Sequence, residues 1–250
     1  MTAAETIPNG RRLSIRYLLL SVLAAPFAVI ALVGHDLDPV PMPVMAAQPV
    51  SMLDGRSFYA QRFEVSIADW NACAADGGCQ RELRARPDQN DFDTPATGLN
   101  YIDALQYVDW IRRSTGHDFR LPTAEEWNVM AADVMPDEPD PLFTDPSLSW
   151  ASSYLVEGLA SRALKPQGSF SISPEGVGDL DGSVWEWTSE CYDGLSRGTN
   201  PDRCPAYFVG GEHIAAMSLL VRDPMRGGCA VGTPPAHLGM RLVSDHPVQN

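Results

Sequence analysis

The stretch Asp179–Trp187 reads D-L-D-G-S-V-W-E-W, a glycine turn carrying two aspartates that runs directly into two tryptophans bracketing a glutamate. In a strand, side chains alternate between faces, so Trp185 and Trp187 point one way and Glu186 the other. Each indole hides a large apolar area, and a core must therefore be built on that face. Asp179, the Gly182 and Val184 carbonyls and Glu186 are hard oxygen donors that the turn brings near one another. Calcium accepts this mixture of carboxylate and backbone oxygens in irregular geometry. The same residues also read as an acidic turn ahead of a core strand. Spacing alone leaves both readings open.

With 250 residues the chain has room for one sizeable domain and an N-terminal appendage. A formal charge of −14 argues against nucleic acid as a partner and suits cations or basic surfaces. Twenty-one prolines and twenty glycines imply a fold rich in loops rather than a helical bundle.

Arg11, Arg12 and Arg16 precede an apolar run from Tyr17 to Val33, and a proline-rich acidic stretch follows. This is the pattern of an export segment. Residues 1–34 are expected to be a signal or membrane anchor, residues 35–57 an extended linker, and residues 58–246 the folded domain. The run is seventeen residues with Pro26 inside, short for a span and long for a signal. The preferred expectation is an uncleaved anchor with the domain on the periplasmic side; the alternative is release by cleavage after Ala46. Membrane contact is expected through the N-terminal segment only.

Cys73 and Cys79 close a short C-A-A-D-G-G-C loop, and Cys191 and Cys204 flank a polar, glycine-containing segment. Export would let both pairs oxidise, leaving Cys229 over. Free buried thiols are the alternative.

Three helices are legible. Ser66 with Asp69 opens one carrying Ile67, Trp70 and Ala74 on a face, and Gly77 ends it. Asn100, with Asp103 in the first turn, opens a second whose stripe is Ile102, Leu105, Val108 and Ile111, ended by Gly116. Thr123 and Glu126 form the capping box of a third, with Trp127 and Met130 inward. Arg81 to Asp93 and Asp133 to Asp145 read as loops.

The segment around Trp185 resembles the G-N-V-W-E-W signature of the formylglycine-generating enzyme, or sulfatase-modifying factor, family, with Ser183 where the family usually has Asn. Further segments are similar and in the right order: "RFEVSIADW" (Arg62–Trp70), "TPATGLNYIDALQYVDWI" (Thr94–Ile111), "RLPTAEEW" (Arg120–Trp127), "KPQGSF" (Lys165–Phe170) and "LGMRLV" (Leu238–Val243). The resemblance implies a single α+β domain with little regular structure, short helices packed on irregular sheets, and a distant likeness to C-type lectins. It also implies structural calcium at Asp179, Gly182, Val184 and Glu186.

Catalytic relatives hold copper between two cysteines located after a G-G-S turn and before the closing G-F-R, where a soft thiolate pair suits the cuprous ion. Here, starting from Gly210-Gly211 there is no cysteine, and starting from Gly227-Gly228 there is Cys229 alone. Cys229, His237 and Met240, with His213 upstream, are soft ligands, but their spacing matches no copper loop. Copper is therefore not expected and no catalytic residue is assigned. The family's substrate groove implies a recognition surface from Glu212, His213, Ser218, Cys229 and His237. The expected function is an exported accessory protein that binds a periplasmic protein or peptide, in a setting such as denitrification, where family members accompany copper nitrite reductase. Alternatives are an oxidase or maturation enzyme of the formylglycine-generating type, and a calcium-dependent binding module.

Overall fold

A computed structural model describes residues 40–135, 163–192, 204–212, 214–223 and 237–248. The N-terminal apolar run, His213 and Cys229 lie outside the described residues. Among those described, no helix is long and apolar enough to cross a membrane.

The capping residues do what their chemistry dictates. Helix α1 (Ile67–Ala75) starts at Ser66, whose hydroxyl accepts from the Asp69 N–H while the Asp69 carboxylate accepts from the Ser66 N–H. Helices α2 (Tyr101–Thr115) and α3 (Ala124–Ala131) begin with the same reciprocal arrangement, from Asn100 with Asp103 and from Thr123 with Glu126. Each box satisfies amide groups that a helix start leaves without partners. Gly116 stops α2 in the left-handed conformation, at φ 72°, which costs a glycine little.

The buried face of α2 differs from the expected stripe. Ile102 and Leu105 are exposed, and Tyr101, Ala104, Tyr107, Val108, Trp110 and Ile111 face inward. Both sets fit a helical period, and the aromatic set wins because it removes more apolar area from water. In α1, Cys73 rather than Ala74 completes the buried face with Ile67 and Trp70. There Trp70 stacks on Tyr107 of α2, with ring centroids 5.8 Å apart.

Two small sheets carry the rest. Strands β1 (Val50–Ser51), β2 (Ser57–Ala60) and β7 (Val243–Ser244) form one antiparallel sheet in the order β1-β2-β7. The second sheet has the order β5-β4-β3-β6, built from β3 (Val184–Tyr192), β4 (Ala206–Gly210), β5 (Ala215–Ser218) and β6 (His237–Gly239). In it β6 runs parallel to β3, pairing His237 with Val184 and Gly239 with Glu186.

Residues 40–57 are not the solvated linker that their composition suggests. Ala46, Val50 and Met52 are buried, Met45 bridges to Gln61, and Val40 and Met42 pack on the core. A proline-rich strap with apolar residues at intervals hides those residues once a neighbouring strand supplies hydrogen-bond partners, as β2 does here. The ordered domain thus starts before Phe58.

Strand β3 lies between two apolar clusters. Trp185 and Trp187 enter one with Trp70, Trp110 and Leu238, whereas Trp127, Phe58, Met130 and Leu180 form the other. Residues 184–188 are consequently buried on both faces. The architecture is a single α+β domain of small mixed sheets with few helices.

Candidate functional site

The expected alternation in β3 is present. Trp187 donates from its indole nitrogen to the Leu99 carbonyl at 2.8 Å. Glu186, on the opposite face, has no exposure to solvent. Its carboxylate accepts from Arg241 Nη2 on Oε1 (2.8 Å), from Arg241 Nε on both oxygens (3.2 and 3.1 Å), and from the Trp127 indole on Oε2 (3.0 Å). Three N–H donors thus address the Glu186 carboxylate, the Arg241 Nε–H being shared between both oxygens.

Arg241 is equally enclosed. Its Nη1 donates to the Gln61 and Arg62 carbonyls, and its Nη2 also donates to the Gly178 carbonyl. Burial opposes the guanidinium charge, yet Glu186 more than offsets this and holds the Arg241 pKa above its ordinary value. Glu64 lies near this pair and is buried with Oε2 lacking any hydrogen-bond partner. Burial, against the pull of Arg241, pushes the Glu64 carboxyl up to about 8.

Of the four residues expected to hold calcium, the two carboxylates already accept hydrogen bonds within the fold. Asp179 adopts a positive φ of 64°, a conformation aspartate tolerates better than most residues. Its carboxylate accepts from the backbone N–H groups of Gly168 and Phe170. Asp181 accepts from the Ser171 N–H and hydroxyl. The two aspartates therefore clamp the Gly168–Ser171 loop, and Gly182 donates its N–H to the Asp179 carbonyl. The Glu186 carboxylate is thus engaged by Arg241 and Trp127, and the Asp179 carboxylate by two backbone N–H groups.

Both expected disulfides are present, Cys73–Cys79 and Cys191–Cys204, with Cα separations of 5.3 and 5.9 Å.

The three described residues of the expected recognition surface, Glu212, Ser218 and His237, do not share one edge of the sheet. Ser218 ends β5 at one edge of the four-stranded sheet, opposite Ala206, while His237 starts β6 at the other edge, opposite Val184. Three strand spacings of about 4.8 Å separate those edges. Glu212 is exposed in the turn between β4 and β5, at the same end of the sheet as His237. Of these three described residues, Glu212 and His237 share an end of the sheet.

A cleft of about 550 Å³ is lined by Arg56, Arg120, Thr123, Glu126, Ser189 and Asp245, among others. Its floor is internally paired: Arg120 binds Glu126 through Nη1 at 2.7 Å and also binds Asp245. Burial raises the Glu126 pKa, but Arg120 and the Thr123 N–H more than offset it and leave it lowered.

Sequence reasoning missed Arg241 as the partner of Glu186, and Glu64 as a buried acid. Arg241 was visible only as the last residue of a closing G-M-R, and nothing in the spacing brings it to a residue 55 positions earlier.

Comparison with known proteins agrees with this architecture. A family model described as the sulfatase-modifying factor enzyme 1-like domain matches residues 31–246. The chain is 26% identical over 228 residues to the formylglycine-generating enzyme of Mycobacterium tuberculosis, covering 80% of this chain and 70% of that protein. The crystal structure of CarF superposes with a TM-score of 0.52 at 18% identity, covering 84% of this chain and 100% of that one. PvdO from Pseudomonas aeruginosa gives 0.49 at 16% identity, covering 80% and 89%. The chain belongs to the sulfatase-modifying factor enzyme 1-like domain family.

Proposed function

We propose that this family member is a non-catalytic accessory protein that binds a partner protein or peptide outside the cytoplasm, tethered or exported by its N-terminal segment. One observation carries the reading. Four of the five cysteines are consumed by two disulfides, which leaves Cys229 as the single thiol. Copper held between two thiolates, as the family resemblance implies for catalysis, cannot be assembled from one. A lone thiolate does not supply the soft pair that favours the cuprous ion. The disulfides also support an oxidising compartment, since cytosolic thiols are kept reduced. The periplasmic setting of a copper enzyme such as nitrite reductase is part of the same proposal.

The test combines two measurements on the full chain. Thiol titration after unfolding without reductant is expected to return one thiol per chain. Copper-loaded protein incubated in air with cysteine-containing sulfatase-type peptides is expected to leave product mass unchanged. Formylglycine formation, whether or not it survives Cys229→Ala, overturns the proposal.

A further inference from the structure

Apart from the cleft floored by Arg120, the molecule has a second one of about 270 Å³, lined by Ile67, Leu83, Arg84, Arg86, Gln89, Thr97, Leu164 and His237. Its character is unusual for a chain of net charge −14. Arg84 and Arg86 both line it, and neither has a carboxylate within ion-pair distance among the described residues. Arg62 and Arg81 likewise have none, whereas Arg56, Arg112, Arg113, Arg120, Arg222 and Arg241 each do.

The two arginines are held in place. Along residues 81–86, half-buried Arg81, Leu83 and Ala85 alternate with exposed Glu82, Arg84 and Arg86. Helix α1 pins the half-buried side: Trp70 donates to the Arg81 carbonyl at 2.8 Å, and Asn71 bonds both backbone groups of Leu83 at 2.8 and 2.9 Å. Gln89 accepts from the Arg86 N–H. Residues two apart on an extended segment lie about 7 Å apart on one face. Two long side chains that leave the backbone at that spacing on one face can converge on a single anion, and their planar forks suit oxyanions. Ile67, Leu83 and Leu164 supply the apolar part of the lining.

We propose that this cleft binds a small organic oxyanion, a carboxylate or phosphate monoester carried on a short apolar body. Arg84 and Arg86 grip the anionic head, Thr97 and His237 border it, and the apolar part of the lining takes the body. The volume exceeds what an inorganic anion needs and falls below the usual range for drug-sized ligands. The site does not depend on whether the family's copper chemistry is present.

The test is calorimetric titration of the full chain at low salt with three probes: butyrate, butyl phosphate and inorganic phosphate. Binding of either organic probe more tightly than inorganic phosphate is expected, and which of the two binds identifies the head group. Arg84→Gln with Arg86→Gln should weaken that binding by about tenfold or more. Both side chains are exposed, so the double variant should fold, which an unchanged melting temperature verifies. Added salt should weaken binding in the wild type and have little effect in the variant. Absence of binding by either organic probe, a preference for inorganic phosphate, or binding unaffected by the double substitution overturns the proposal.

Discussion

Arg241 Nη2 lies 2.8 Å from Glu186 Oε1, and the two side chains are 0% and 1% exposed. They join the β3 signature to the chain's closing segment through an ion pair with no access to water. Removing one partner of such a pair strands a buried charge, at a cost of about 3–5 kcal/mol. Arg241→Met is therefore expected to lose about that much in chemical denaturation, because the Glu186 carboxylate is left buried without its counter-charge. Glu186→Met combined with Arg241→Met should recover a large part of the loss, because the double variant buries no orphaned charge. A double variant as unstable as the single one would show that the carbonyl contacts of Arg241, rather than its charge, dominate.

Glu64 gives the stability profile an alkaline limb. Its carboxyl titrates at about 8 in the fold against an ordinary 4.5, because burial disfavours the ionised form. The folded state thus holds a proton that the unfolded chain releases. The contribution is complete below about 4.5 and is lost as pH rises towards 8, at about 1.4 kcal/mol per pH unit. Glu126, with its lowered pKa, works in the opposite direction and loses its contribution on acidification. Glu64→Gln should flatten the slope between pH 5 and 8 and leave the acid limb unchanged. Denaturation midpoints measured across that range check it, and an unchanged slope counts against the assignment.

Calcium is expected to matter little to this domain. The Arg241 guanidinium already neutralises Glu186, and the Asp179 carboxylate is occupied by two backbone N–H groups. A ligand bound only by the folded state raises melting temperature by mass action. Melting in excess chelator and in millimolar calcium should therefore coincide. A fall of several degrees in chelator would mean that a cation displaces part of this network.

The two disulfides should differ in worth. Their sequence separations are 6 and 13, and loop-closure entropy then gives about 2 and about 3 kcal/mol. Paired Cys→Ala variants should follow that order in denaturant midpoints. Equal losses would point to native-state contacts rather than to the unfolded chain.

The parts of the fold legible in the sequence are those governed by local chemistry. Ser66, Asn100 and Thr123 announce their helices because a cap needs only the next three residues, and each box formed as read. The disulfide pairs were legible because both span short loops. Where two answers had equal period, as with Ile102 and Leu105 against Tyr101, Tyr107 and Trp110 on α2, only tertiary packing decides. The calcium reading treated Glu186 through its sequence neighbours, whereas its actual partners are Trp127 and Arg241, 59 and 55 positions away. The Arg84–Arg86 cleft was invisible for the same reason: His237 reaches it from β6, which the chain forms much later.

The same long-range packing explains the glycine pair Gly210-Gly211, which in the sequence marks one possible start of the segment that holds the family's copper cysteines. Gly210 pairs with Glu186 across β3 and β4. A Cβ on Gly210 would lie 2.1 Å from Trp127 Cδ2, and one on Gly211 would lie 2.3 Å from Trp185 Cδ2. Each glycine is thus the flat surface against which an indole rests. Trp127 cannot slide away without breaking its hydrogen bond to Glu186, which also anchors Arg241. Overpacking a rigid site costs about 1–3 kcal/mol or more, so Gly210→Ala should fall at or above the upper end of that range. Trp127→Ala loses the indole donor and is destabilising alone, but it removes the ring that the added methyl would meet. The double variant Gly210→Ala with Trp127→Ala should therefore be more stable than the sum of the single losses predicts, by about 1 kcal/mol or more. Strict additivity in this cycle would show that the strand, rather than the indole, yields to the added methyl.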